Sequence, residues 1–313
     1  MVLFLGWMLS LGRSVVNRIY AAVLEREIGH TPDHVAVIQD GNRRFAARRG
    51  ASPADGHRAG AQTTEAVLQW CKELDIHELT LYAFSTENFS RPAAERENLY
   101  DLLCEKLVEF ADAGKVHEQS VAIRTLGTVE ELPPRVQRAA RYAERRTADH
   151  DQFKLNIALA YGGRTELLGA ARDVVEAVDR GELDPASIEV ATIEERLYDA
   201  TITDVDLIIR TGGDERTSNF LPWHANGNEA AVFFCTPYWP EFSKVDFLRA
   251  IRTYEHRERS WERSRRQRAA TLVRVLGDVD LSETDRLARR WRPTDRTPGI
   301  DRLGRDSDAG RSD

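Results

Sequence analysis

Residues 34–46 read His-Val-Ala-Val-Ile-Gln-Asp-Gly-Asn-Arg-Arg-Phe-Ala and pass from an apolar run through a polar turn into a helix start. The run from His34 to Ile38 does not alternate with polar residues, which is typical of a strand buried on both faces of a parallel sheet. Gly41 and Asn42 are suited to the tight turn that follows. A strand joined directly to a helix is the basic unit of an α/β fold.

The same alternation of strand and helix continues along the chain. The predicted strands are His34–Ile38, Glu78–Phe84, Val121–Leu126, Lys154–Ala160, Asp206–Arg210 and Ala231–Cys235. The predicted helices are Ala61–Leu74, Glu95–Phe110, Pro134–Thr147, Glu166–Val178 and Thr192–Tyr198. This pattern predicts one α/β domain with a central, mostly parallel six-stranded sheet and helices on both faces.

The composition fits an ordinary folded protein of 313 residues, 42% of them hydrophobic, with a formal net charge of −7. The acidic balance argues against a general nucleic-acid binder, which would carry a basic surface. Cys71, Cys104 and Cys235 form no C-x-x-C pair, so neither a disulfide framework nor a zinc site is predicted. A reducing compartment, by default the cytosol, is expected.

The two ends of the chain differ from its middle. Residues 1–12 are almost all apolar but too few to span a bilayer, and residues 13–26 have the spacing of an amphipathic helix. We predict a helical extension at 1–32 that lies on the inner face of a membrane or packs on the protein itself; both alternatives stay open. A catalytic domain at 33–268 and a charged segment at 269–313, disordered towards its end, complete the prediction.

Ligands of open parallel sheets bind where the strands end, so the residues after each strand carry most information. Four of these junctions combine glycine, asparagine or serine with arginine: Asp40–Arg44, Ser85–Pro92, Tyr161–Arg164 and Thr211–Asn219. Asp-Gly-Asn alone is a common turn, but the repetition over four junctions favours a site. P-loop, dinucleotide-binding, serine-hydrolase and zinc-protease motifs are not found in the sequence.

The junctions are suited to phosphate. Backbone N–H groups after Gly41 can bind an anion at a helix start, and neighbouring arginines add donors. Asp40 beside such a site predicts Mg²⁺, which is usually held by one or two carboxylates and phosphate oxygens. Arg210, Arg216 and Ser218 could hold a second diphosphate or form a solvated loop. His57 could donate to phosphate or serve as a structural hydrogen-bonding group.

Five blocks in chain order resemble the cis-prenyltransferases, the undecaprenyl diphosphate synthase family. They are His34–Ala46, Gly56–Gly60, Leu79–Pro92, Leu155–Arg164 and Asp206–Leu221, followed by Trp223 and Glu229. Three departures from the family pattern stand out: Gln39 replaces a methionine, Pro53 replaces an arginine, and residues 257–262 lack an Arg-x-Gly element. The resemblance implies the family fold, with an apolar product tunnel that we place near Tyr100–Phe110 and Val136.

The resemblance also implies residue roles. Asp40 and Asn88 would be catalytic, with Asn88 at proton removal, and Asp40 and Glu229 would bind Mg²⁺. The substrate-binding residues would be Gly41, Asn42, Arg43, Arg44, Phe45, His57, Ser85, Thr86, Glu87, Phe89, Arg91, Arg210, Arg216, Thr217 and Ser218. The first diphosphate subsite would hold the allylic substrate, and the Arg210 group would hold isopentenyl diphosphate.

The implied reaction is repeated cis-condensation of isopentenyl diphosphate onto geranylgeranyl or farnesyl diphosphate. Its product would be a long polyprenyl diphosphate, the precursor of a glycosyl-carrier lipid. The arginine bias and the N-terminal extension resemble archaeal members that use geranylgeranyl diphosphate. A homodimer is expected from the family. A non-catalytic partner subunit is the alternative, which the retained Asp40, Arg91 and Arg210 disfavour.

Overall fold

The computed structural model describes residues 17, 19–197, 202–225 and 230–275, with backbone only for several positions after Trp261. The chain divides into two compact units. The first consists of Met1–Ile188 and Thr192–Glu255, and the second consists of Glu189–Ala191 and His256–Asp313. The sheet and the candidate site belong to the first unit. Glu229, predicted to bind metal, and the tail from 276 onwards lie outside the described residues.

Six parallel strands form one sheet in the order β3-β4-β2-β1-β5-β6. They are β1 His34–Ile38, β2 Glu78–Ser85, β3 Val121–Leu126, β4 Phe153–Tyr161, β5 Leu207–Arg210 and β6 Ala231–Phe234. The prediction of a six-stranded α/β fold is confirmed, and the sheet is parallel throughout. Ala36 of β1 lies between Thr80 of β2 and Ile208 of β5, so β1 is central and its end adjoins the end of β5.

The helices flank this sheet. They are α1 (residues 19–27), α2 Asn42–Arg48, α3 Pro53–Glu73, α4 Ala93–Asp112, α5 Gly114–Glu118, α6 Pro134–Arg146, α7 Gly163–Asp179, α8 Val190–Glu194 and α9 Lys244–Val275. α3 begins eight residues before the predicted start at Ala61. Ser52 caps it by accepting from the Asp55 N–H, and Pro53 occupies its first turn, where the lack of an N–H costs nothing.

The core lies on both faces of the sheet, as its unbroken apolar strands predict. Leu79, Leu155 and Leu207 belong to the larger cluster on one face, and Ala36 and Ile208 belong to the smaller one. In the segments predicted to wall a product tunnel, Tyr100, Leu107 and Val136 belong to the larger cluster, and Leu103 and Phe110 pack against it. The tunnel itself stays a prediction.

One face of α1 packs on the protein. Leu24 is fully buried against Val245 and Leu248 of α9, which favours packing on the protein for this face of the helix. Ile19 and Val23 remain 61% and 44% exposed, so a membrane contact through α1 stays a prediction. Among the described helices, none combines the length and apolarity needed to cross a bilayer.

Candidate active site

Most of the predicted site residues that the structure describes lie at the carboxyl edge of the sheet, near Asp40 at the end of β1. Its backbone is held by the Thr211 hydroxyl, which accepts from the Asp40 N–H at 3.0 Å and donates to the Asp40 carbonyl at 2.7 Å. The Trp239 N–H donates to the same carbonyl at 3.0 Å. The Asp40 carboxylate is therefore fixed in place where β1 and β5 end side by side.

Arg210, the last residue of β5, is buried beneath this carboxylate. Its guanidinium donates to Asp40 Oδ2 at 2.7 Å, to Ser218 Oγ at 2.7 Å and to the Arg216 carbonyl at 2.6 Å. Asp214 accepts a longer contact from it at 3.4 Å. Arg210 thus joins the acidic residue of the first junction to the loop of the fourth, 170 positions away in the chain.

Two arginines control the charge of Asp40, because Arg44 donates to its Oδ1 at 3.0 Å while Arg210 donates to its Oδ2. Burial alone would raise the pKa of Asp40, but the hydrogen bonds and charges of Arg210 and Arg44 outweigh it and lower the pKa below its ordinary value. Asp40 is therefore an ionised, partly exposed carboxylate at neutral pH.

A second group of cations lies beside Asp40. Arg91 and Arg43 share a single carboxylate, Glu95, at 2.8 and 3.6 Å. His57 lies among them, and its Nε2 is buried without a hydrogen-bond partner. Burial, and then the charge of Arg91, lowers the pKa of His57 to about 4. This group therefore contains two arginines, one carboxylate and an unsatisfied ring nitrogen, so its positive charge exceeds its negative charge.

Close backbone packing shapes the turn between β1 and α2. Gly41 has φ +102°, and a Cβ there would lie 2.6 Å from the Tyr238 ring. The Oδ1 atom of Asn42 is buried and has no hydrogen-bond partner, while a Cβ on Gly60 would lie 2.3 Å from it. Only glycines at these places let α2, α3 and the segment after β6 meet around Asn42.

The junction after β2 forms a short 3₁₀ turn, Thr86–Ser90. The Ser85 N–H donates to Asn88 Oδ1 at 2.9 Å, which fixes the Asn88 side chain within the turn. Phe89 packs edge-on against Phe84 at 5.1 Å between ring centroids, whereas the Glu87 side chain is exposed. The turn leads into Arg91, so Asn88 and the second cation group follow each other directly.

Phe45 lies apart from the carboxylate. Its ring, with Arg49 4.0 Å above it, lines a groove of about 480 Å³ that Trp70 and Phe242 also line. Thr217 lies in the loop after β5, where its carbonyl accepts from the Phe220 N–H at 3.0 Å. Arg216 is 63% exposed and contacts Asp214 at 3.0 Å.

Comparison with known proteins identifies the family of this chain. The model of the family described as "Putative undecaprenyl diphosphate synthase" matches residues 38–262. The chain belongs to the undecaprenyl diphosphate synthase family. The match spans α2 to the first half of α9 and includes every predicted site residue.

Two relatives carry the description tritrans,polycis-undecaprenyl-diphosphate synthase (geranylgeranyl-diphosphate specific). That of Haloarcula marismortui is 59% identical over 94% of this chain and 96% of its own length. That of Halobacterium salinarum is 61% identical over 88% of this chain and 91% of its own length. A solved structure, lavandulyl diphosphate synthase from Lavandula x intermedia in complex with dimethylallyl diphosphate, is 31% identical with a TM-score of 0.67 over 72% of this chain and 95% of its own.

The arginines around the family departure at Pro53 have other contacts. Arg48 lies 4.4 Å above the Tyr238 ring, Arg49 lies over Phe45, and Arg58 contacts Asp55 at 3.5 Å. Pro53 itself is the first residue of α3, a role that its ring suits.

Several site residues were missed by sequence reasoning. Thr211 and Trp239 position Asp40, Tyr238 packs on Gly41, and Glu95 balances the second cation group. Only Thr211 stood within a recognised junction. The others lie in a helix or in the segment after β6, where an acidic or aromatic residue gives no signal of its own.

The donor set at Asp40 fits magnesium. The family implies a divalent cation, which prefers hard, charged oxygen ligands. Asp40 offers an ionised carboxylate that is 28% exposed, between two groups suited to phosphate. Within the described part of the chain no cluster of three or more acidic, histidine or cysteine side chains could hold a metal ion. Substrate phosphate oxygens and water would therefore have to complete the coordination.

Proposed function

We propose that the chain extends geranylgeranyl diphosphate by repeated cis-condensation with isopentenyl diphosphate and releases a long polyprenyl diphosphate. One observation carries the proposal: the carboxylate of Asp40 lies between two separate cation groups at one sheet edge, so two phosphorylated substrates can meet there. The starter is proposed from the two haloarchaeal relatives, whose descriptions specify geranylgeranyl diphosphate.

The allylic diphosphate is assigned to the second cation group and the turn after β1. Arg43, Arg91 and the buried Nε2 of His57 would bind its oxygens, together with N–H groups at the start of α2. When the allylic C–O bond breaks, negative charge develops on the departing diphosphate. Fixed donors aimed at that charge lower the barrier because they need no reorganisation.

Isopentenyl diphosphate is assigned to Arg210, Arg216 and Ser218. Holding both substrates at adjacent strand ends makes the new C–C bond an effectively intramolecular event. We assign to Asn88, whose side chain is fixed by the Ser85 N–H, the removal of the proton lost from the isopentenyl unit, either directly or through water. Ser85, Thr86, Glu87 and Phe89 would surround the reacting carbons, whereas Phe45, which lines a separate groove, is not assigned to them.

Magnesium completes the proposed chemistry. Asp40, with Glu229 as the second carboxylate, would hold the ion, which when bound neutralises charge on the leaving diphosphate. Arg210 and Arg44 keep Asp40 ionised and oriented for that purpose. We further propose a homodimer whose product serves as a glycosyl-carrier lipid precursor, in the cytosol with peripheral contact to the membrane.

The test is a condensation assay with purified full-length protein, labelled isopentenyl diphosphate and Mg²⁺. Geranylgeranyl, farnesyl and dimethylallyl diphosphate are supplied in separate reactions, with and without excess EDTA. We expect long products from wild type with geranylgeranyl diphosphate, their loss with EDTA, and at least about a hundredfold loss of rate in Asp40→Asn.

Asp75→Asn is the matched control. Asp75 is 94% exposed, lies at the opposite edge of the sheet before β2, and has φ +56°, a conformation that asparagine adopts readily. This variant should keep the wild-type rate. A wild-type protein that is inactive with every starter would refute the proposal and favour the partner-subunit alternative.

A further inference from the structure

The loop after β5 has unusual backbone geometry. Ser218, Asn219 and Leu221 have φ values of +51°, +56° and +48°, in the left-handed region. Each such non-glycine residue costs about 1 kcal/mol or more, and it persists only where its surroundings enforce it. The same loop presents the Ser218 hydroxyl and the Arg216 carbonyl to Arg210. Whatever holds this conformation therefore shapes the subsite proposed for isopentenyl diphosphate.

Aromatic side chains hold the loop from the sheet side. The Phe220 ring stacks on Tyr82 at 4.4 Å between centroids with a 5° interplanar angle, and it meets the Tyr161 ring edge-on at 5.9 Å. Tyr82 also donates its hydroxyl to the Tyr161 carbonyl at 3.2 Å. These contacts fix Phe220, which lies between the left-handed residues Asn219 and Leu221.

A buried polar group completes the support. The Tyr161 hydroxyl donates to Glu166 Oε2 in the first turn of α7, and the Leu221 backbone also hydrogen-bonds to Tyr161. Glu166 is 2% exposed, and its other oxygen lies 3.8 Å from the buried Nε2 of His224. The Tyr161–Glu166 pair thus holds the loop at Leu221, one of its left-handed residues, three positions after Ser218.

We propose that Tyr161 and Glu166 are positioning residues that set the affinity for isopentenyl diphosphate by holding the 216–221 loop in its left-handed form. This role rests on the proposed function, since it concerns the same second-substrate subsite. Neither side chain needs to touch the substrate, because the loop backbone transmits their effect to Ser218 and Arg216. Tyr161 ends β4 and Glu166 lies in the first turn of α7, and their described contacts to the loop run through Phe220 and Leu221, so we expect the allylic subsite at Arg91 and His57 to be affected much less.

The test compares the KM values for the two substrates. For Tyr161→Phe, which keeps the ring packing, we expect the KM for isopentenyl diphosphate to rise roughly tenfold, equal to about 1.4 kcal/mol. The KM for geranylgeranyl diphosphate should stay within about twofold. Tyr142→Phe, which removes a hydroxyl bound to Asp112 on the exposed side of α6, is the matched control and should change neither constant.

Two variants of Glu166 test the positioning role even if Tyr161→Phe fails to fold. Glu166→Gln keeps an acceptor for the Tyr161 hydroxyl and should rescue most of the affinity that Glu166→Leu loses. Equal effects on both KM values, or no effect on either, would overturn the positioning role.

The failure of this inference can be told apart from failure of the proposed function. If wild type makes no product, the proposed function fails, and the calorimetric affinity for inorganic pyrophosphate, compared between wild type, Tyr161→Phe and Ser218→Ala, then tests the loop. If wild type is active but Ser218→Ala leaves the KM for isopentenyl diphosphate unchanged, the subsite assignment fails. A sensitive Ser218 with an insensitive Tyr161 would refute the positioning role alone.

Discussion

Replacing His57 by glutamine should reduce the amount by which the free energy of unfolding falls as the pH is lowered. His57 is largely buried beside Arg91 and Arg43, and its pKa is lowered to about 4 from an ordinary 6.5. Between these values the unfolded chain binds a proton that the folded chain does not. Stability from this group is therefore complete above pH 6.5 and is lost as the pH falls towards 4.

The magnitude follows from the two pKa values. A difference of about 2.5 pKa units corresponds to about 3.4 kcal/mol at most, of which about 3 kcal/mol is lost between pH 7 and pH 4. A loss of about 2 to 4 kcal/mol would agree with a neutral His57 in the folded chain. Carboxylates also titrate in this range, so only the difference between the two proteins is assigned to His57.

The assay is urea unfolding of wild type and His57→Gln at half-unit steps from pH 7 to pH 4, followed by circular dichroism. The free energy of unfolding should fall more steeply in wild type by the amount given. Parallel curves would refute the burial of a neutral His57 among arginines. In condensation assays, His57→Gln should raise the KM for the allylic substrate, and His77→Gln, at an exposed histidine on the opposite edge of the sheet, is the control that should leave this KM unchanged.

Two further substitutions test the packing and charge of the site. Gly60→Ala places a Cβ 2.3 Å from Asn42 Oδ1, so the free energy of unfolding, measured by chemical denaturation, should fall by about 1–3 kcal/mol. The control Gly169→Ala, with open space at its Cβ, should leave this free energy unchanged or raise it. Equal effects of the two variants would contradict the packing. Arg210→Lys keeps the charge but loses the fork that reaches Asp40 and Ser218, so the rate of condensation should fall by about a hundredfold or more. A variant with wild-type kinetics would show that the fork is unnecessary.

Much of the fold could be predicted because buried parallel strands leave a strong local pattern. β1 and β3 begin and end at the predicted residues, since each is an apolar run bounded by polar turns. The predicted start of α3 at Ala61 was wrong because Gly56 and Gly60 interrupt the regular spacing of apolar residues that indicates a helix. Those glycines are needed for contact: a Cβ at Gly56 would lie 2.2 Å from the Asn42 carbonyl oxygen. A requirement of tertiary packing thus concealed the first two turns of the helix.

The site could be predicted as a set of residues but not as an arrangement. Nothing local indicates that Asp40 meets Arg210, because their contact depends on β1 and β5 being neighbours in the sheet order. The role of Tyr161 was equally hidden: its motif was recognised, but its partner Glu166 reads as an ordinary residue of a helix start. Glu229 stays a prediction.

The polar atoms that this fold leaves unsatisfied say more about function than those it pairs. Buried polar atoms normally find partners, because each one left alone costs about 1–3 kcal/mol. Among the described residues that are assigned to the substrates, three have such an atom without a protein partner: Asn42 Oδ1, His57 Nε2 and Arg210 Nε. Stability alone would favour apolar replacements at these positions. Two of the three are nitrogens, one of the Arg210 guanidinium and one of His57 beside Arg91 and Arg43, so an anion that reaches them gains hydrogen bonds the protein does not make for itself. Binding of the anion thereby offsets the cost in folding free energy. A solvated patch of arginines has no such unsatisfied atoms, and in this respect it differs from a site for a diphosphate.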